Sequence, residues 1–68
     1  MKEYHAVHRN EVPSVLCEPL RVYRSRFDYS AIEAFQSDYG TCPDKLVLYR
    51  IDGFNSAGDY IYRRMTWN

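Results

Sequence analysis

The sequence predicts a small α+β domain: an antiparallel sheet of three to four strands with one short helix packed on it, in the order β-β-α-β-β. Three observations lead there. Only one segment, residues 30–39, carries a helix start signal, a helical apolar spacing and a helix stop together. The segments around it are rich in tyrosine, valine and isoleucine and follow strand rather than helix periodicity. The last two of them are separated by a short polar stretch bracketed by Gly53 and Gly58, as a hairpin requires.

The first strand is expected over residues 2–9. Tyr4, Ala6 and His8 form one alternating set and His5 and Val7 the other, a weak pattern that reads as an edge strand. Residues 10–14, with Pro13, form the turn that follows. Pro19 cannot donate to a ladder, so the second strand begins near Leu20 and runs through Val22 and Tyr23 toward Phe27, while Val15, Leu16 and Cys17 make a separate short extended piece. Alternation divides the arginines of this strand, Arg21 to one face, Arg24 and Arg26 to the other.

The helix starts at Ser30, where Ser30-Ala31-Ile32-Glu33 fits a capping box. Ile32, Phe35 and Tyr39 recur on one face, Gly40 supplies the left-handed stop, and Pro43 forbids continuation. So short a helix is marginal alone, so that face must be held by the sheet. Strands over residues 45–52 and 59–67 complete the domain as a hairpin. A register opposing Ile51 with Ile61 and Val47 with Met65 collects Val47, Tyr49, Ile51, Ile61, Met65 and Trp67 on one face and Leu46, Leu48, Arg50, Tyr60, Tyr62 and Arg64 on the other. A one-residue slip that brings Asp52 opposite Asp59 is disfavoured by about 1 kcal/mol of like-charge contact.

At 68 residues the chain makes one domain, residues 1–68, with a core of limited size. The 46% apolar and 16% aromatic content is that of a folding chain, not a disordered one. Nine Lys plus Arg balance nine Asp plus Glu, which removes the long-range field that draws a protein onto nucleic acid or an anionic membrane. No stretch approaches the roughly 20 apolar residues of a membrane span, and residues 1–5 lack the apolar run of a secretion signal, so the expected location is the cytoplasm, that of a host if the protein is viral. In that compartment Cys17 and Cys42 are expected as thiols, with pairing left open.

Chemistry has little to stand on. His5, His8, Cys17 and Cys42 are zinc-ligand types, but residues three apart on a strand face opposite ways and neither cysteine belongs to a Cys-x-x-Cys knuckle, so no metal site and no cofactor is expected. Glu33, Asp38, Asp52 and Asp59 are explained by a cap, a helix surface and hairpin ends, and no catalytic residue is assigned. The chosen register instead gathers Arg50, Tyr60, Tyr62 and Arg64 on one exposed sheet face. Tyr and Arg are the residues enriched in interface hot spots, and seven of the nine cations are Arg. The expected function is therefore a small non-enzymatic protein-binding module, an inhibitor or adaptor acting on a larger protein or a homodimer, of the kind often phage-encoded. The alternative is a nucleic-acid-binding module stacking bases on the same Arg/Tyr face; an enzyme with an unrecognised site comes third.

Overall fold

The computed structural model describes residues 1–41 and 43–67. In chain order it contains β1 (Lys2–His8), β2 (Arg21–Ser25), α1 (Asp28–Tyr39), β3 (Leu46–Phe54) and β4 (Tyr60–Arg64). The strands make one antiparallel sheet in the order β2-β1-β3-β4, which is the expected α+β architecture. β2 and β3 are both antiparallel to β1 and so run parallel to each other with β1 between them. Parallel strands cannot be joined by a tight turn, and α1 supplies the crossover. That single connection places the helix on one face of the sheet.

β1 is thus a central strand, not the expected edge. Its alternation is weak because both faces are covered: Tyr4, His5, Ala6 and Val7 are all buried. On the helix side Tyr4, Ala6, Tyr23 and Leu48 meet Ala31 and Phe35, with Ile32, Tyr39, Met65 and Trp67 packed around them. Phe35 is fully buried and lies edge-on to Tyr23 and Trp67, with ring centroids 6.4 and 5.7 Å away. The helical face read from Ile32, Phe35 and Tyr39 is the one that packs, and Gly40, at φ 97°, ends the helix by donating its N–H to Gln36 O.

The helix begins two residues before the expected capping box. Phe27 occupies the cap position with extended backbone and no side-chain cap, so Ser30 already lies in the first turn. What fixes the earlier start is Asp28, whose carboxylate is bonded by the sheet residues Tyr4 and Arg50 and which is also favourable as an acid in the first turn.

The hairpin register differs from the expected one by a residue. Tyr49 faces Arg64, Arg50 faces Arg63 and Ile51 faces Tyr62, and beyond them Phe54 faces Tyr60. Asp52 and Gly53 together oppose Ile61, a bulge that Gly53 permits at φ 134°. Repulsion between Asp52 and Asp59 disfavours only a slip in the opposite direction. The register that forms sends Met65 and Trp67 to the helix-side core and Tyr62 to the opposite face. Side chains of β4 are therefore exchanged between faces relative to the sequence expectation.

The face away from the helix has its own cover. Val7 and Val47 are buried there, as is His5, and the β1–β2 connection, residues 9–20, reaches across to the residue that precedes β4: Val15 N–H donates to Asp59 Oδ1 at 2.9 Å. The extended piece expected at Val15, Leu16 and Cys17 is instead a turn, closed by Cys17 N–H on Ser14 O at 3.0 Å. The question of a Cys17–Cys42 bond lies outside the described residues, since Cys42 is not among them.

Candidate functional site

The four residues expected to form one binding face do not share a face. Arg50 opposite Tyr4 in β1 lies on the helix side, its side chain 16% exposed, with Nη1 donating to Asp28 Oδ2 at 2.8 Å and Nε to Asp52 Oδ1 at 2.6 Å. The same Asp28 accepts the Tyr4 hydroxyl at 2.5 Å and pairs with Lys2, and Asp52 pairs with Arg63. The Tyr4 hydrogen bond, with Arg50 and Lys2 behind it, holds the Asp28 carboxyl below its ordinary value, and Arg50, then Arg63, does the same to Asp52. Burial and the neighbouring Asp28 push the Tyr4 phenol up to about 12. Every charge in this network has a partner, so it ties α1 to the sheet.

Tyr60, Tyr62 and Arg64 lie on the other face. Tyr60 and Tyr62 are half-buried around His5, with ring centroids 5.5 and 6.4 Å from its imidazole, and Tyr49 lies 5.6 Å from Tyr62. His5 Nε2 is 2.6 Å from Glu3 Oε2, an arrangement that holds the Glu3 carboxyl down. Burial, helped by Asp59, Tyr60 and Cys17, raises the Tyr62 phenol. These rings pack on one another rather than standing clear as stacking platforms. His5 and His8 do not converge, and no group of three or more His, Cys, Asp or Glu capable of holding a metal occurs among the described residues.

Arg64 is the member of the expected set that reaches an open site. β4 ends at Arg64, and although Met65 N–H still donates to Leu48 O at 2.9 Å, the chain then leaves β3, so that Leu46 and Val47 run on beside β1 alone. The space vacated is a groove of about 210 Å³ walled by Leu46, Leu48, Met65 and Trp67 with Arg9 and Arg64 at its rim. Trp67 is held there by its Nε1–H on Thr41 O at 2.9 Å. A second depression continues past Arg9 and Asp44 to Lys45 and His8. Lys2, Arg21, Arg24, Arg50 and Arg63 all have carboxylate partners, whereas Arg9, Arg26, Lys45 and Arg64 have none among the described residues, and all of these four but Arg26 line the two depressions. Asp44 is the one acid lining the two depressions.

Backbone groups converge on the same groove. Lys45 O accepts from Arg9 N–H on the β1 side, and Leu48 O accepts from Met65 N–H on the β4 side. Successive residues of a strand aim their backbone polar groups at alternate neighbours, so Leu46 N–H and C=O point away from β1 into the groove, and no hydrogen bond to them is made by the described residues of the tail.

Sequence reasoning reached Arg64 and missed Arg9, Lys45, Met65 and Trp67. Arg9 and Lys45 are 36 positions apart by number and meet only because β1 pairs with β3 in the register that opposes His8 to Leu46. No protein family, curated protein or solved structure matches the chain.

Proposed function

We propose that the protein is a small non-enzymatic binding module that recognises another protein, an inhibitor or adaptor by role, through the groove beside β3. The observation that supports this reading is that Arg9 and Arg64 line an apolar groove and Lys45 the depression adjoining it, all three without carboxylate partners among the described residues. Surface cations in so small and neutral a domain are readily matched by its own acids, as five of them are. Of the four left over, Arg9, Lys45 and Arg64 lie at these adjoining depressions, where they offer attraction to an external anion, and the apolar floor between Arg9 and Arg64 offers the burial that carries binding energy. At about 210 Å³ the groove is smaller than the roughly 300–1,000 Å³ of small-molecule sites and suits a side chain. The nucleic-acid alternative loses its main support, since Arg50 is on the other side of the sheet and Tyr60 and Tyr62 are engaged with His5.

No helix among the described residues is long and apolar enough to cross a membrane; the compartment proposed is the cytoplasm, that of a host cell if the protein is viral. The test is affinity capture from a nuclease-treated lysate of the source cell, comparing the parent chain with the triple variant Arg9→Glu, Lys45→Glu and Arg64→Glu. A protein held by the parent and lost by the variant is the expected result. Capture that disappears with nuclease, or that ignores the three substitutions, would overturn the reading.

A further inference from the structure

Taking the binding reading above as its basis, we infer that the groove receives an extended acidic segment of the partner, which adds as a short strand beside Leu46 in the place β4 vacates. Three independent features select this occupant. The first is the strand edge: Leu46 directs a donor and an acceptor into the groove, neither bonded by the described residues of the tail, and such an edge is a template for an incoming extended chain. A helix would satisfy its own backbone and leave both groups unanswered.

The second is charge. Arg9 and Arg64 stand at the rim and Lys45 beyond it, against Asp44 as the opposing acid, so carboxylates on the incoming segment gain attraction and basic ones meet repulsion. The third is the spacing of surfaces. Side chains of an added strand alternate between faces, so one residue enters the slot formed by Leu46, Met65 and Trp67 while its neighbours project toward the cations. The recognised chemistry is thus an apolar residue flanked by Asp or Glu in an extended segment. Leu46 itself supplies sequence-independent hydrogen bonds, and the rim supplies selectivity.

The experiment pans a displayed library of random heptapeptides against the full chain, then follows amide exchange by NMR with the enriched peptides. The expected sequences carry Asp or Glu on both sides of one apolar residue and bind the triple variant Arg9→Glu, Lys45→Glu, Arg64→Glu at least tenfold more weakly, with the variant melting like the parent. At saturation the Leu46 amide should exchange at least tenfold more slowly, and N-methylation of the peptide group facing Leu46 C=O should abolish binding. Enrichment without acidic residues, no enrichment, or a Leu46 amide unchanged at saturation would overturn the inference. The two readings fail separately: lysate capture that depends on the three cations while the peptides fail removes strand addition alone, whereas loss of both removes the binding module as well.

Discussion

Phe35→Ala should remove a large part of the stability of this domain. The side chain is fully buried at the centre of the helix-side core, with Tyr23 and Trp67 edge-on and the Tyr39 ring centroid 5.4 Å away. Truncating a buried phenylalanine costs about 3–5 kcal/mol through lost transfer energy and the cavity left behind. The aromatic contacts add about 0.5–1.5 kcal/mol per well-placed pair, which puts the value toward the upper end. A domain of 68 residues holds roughly 3–10 kcal/mol in all, so the variant should be partly unfolded at room temperature. Trp67 is the single tryptophan and reports directly on the affected contact, so urea titration followed by its fluorescence is the assay. Phe35→Leu, which keeps most of the volume, should lose about 1.5 kcal/mol or less. A loss below about 1 kcal/mol in Phe35→Ala would mean that α1 does not dock through this face, and the described core would be wrong.

Two of the three expected hot-spot residues on the face away from the helix should part company: Tyr62→Ala, which opens the ring cluster on His5, should cost about 1–2 kcal/mol, while the exposed Arg64→Ala should stay within about 0.5 kcal/mol of the parent by thermal melting. Equal stability of the two variants would contradict the bulged register. Stability should also fall at both pH extremes. The lowered Asp28, Asp52 and Glu3 carboxyls contribute above their ordinary values of 3.8 to 4.5 and lose that contribution as pH drops through the folded-state values. The raised Tyr4 phenol acts in the reverse sense, contributing fully below pH 10 and losing its part as pH rises through about 12. Melting temperature against pH checks both limbs, and Arg50→Ala should flatten the acid one. Gly53→Ala, at a φ of 134°, should cost on the order of 1–3 kcal/mol by urea titration, since the bulge needs a backbone that side-chain residues rarely adopt.

Local signals carried the elements and left their arrangement open. The helix face at Ile32, Phe35 and Tyr39, its stop at Gly40 and the strand character within residues 45–52 and 59–67 are all properties of short windows, and the structure has that face, that stop and strands at Leu46–Phe54 and Tyr60–Arg64. The helix start was misplaced because Ser30 and Glu33 satisfy a local rule, whereas Asp28 is bonded from Tyr4 and Arg50, partners far along the chain. The register of β4 turned on one bulge at Gly53. A glycine near the end of a strand reads equally as part of the turn or as part of the ladder, and that ambiguity alone exchanged the faces of Tyr62 and Met65. The groove was invisible for a different reason: it exists where β4 stops short of β3, and its rim comes from both ends of the chain.

The central position of β1 also governs how the molecule is made. β1 is made before either of its neighbours, and β3 follows only after β2 and α1. Until then β1 can pair only with β2, across a 12-residue connection with no strand of its own, while its other edge and the apolar residues Tyr4, Ala6 and Val7 stay uncovered. Closing the sheet is a late event between distant segments, the class of step that slows folding most. The nascent protein therefore passes through a state with a bare, apolar strand edge, in which the competing reaction is pairing with another copy. Recovery of soluble protein should depend on concentration and on how quickly residues 46–54 follow, more than on the stability of the finished fold.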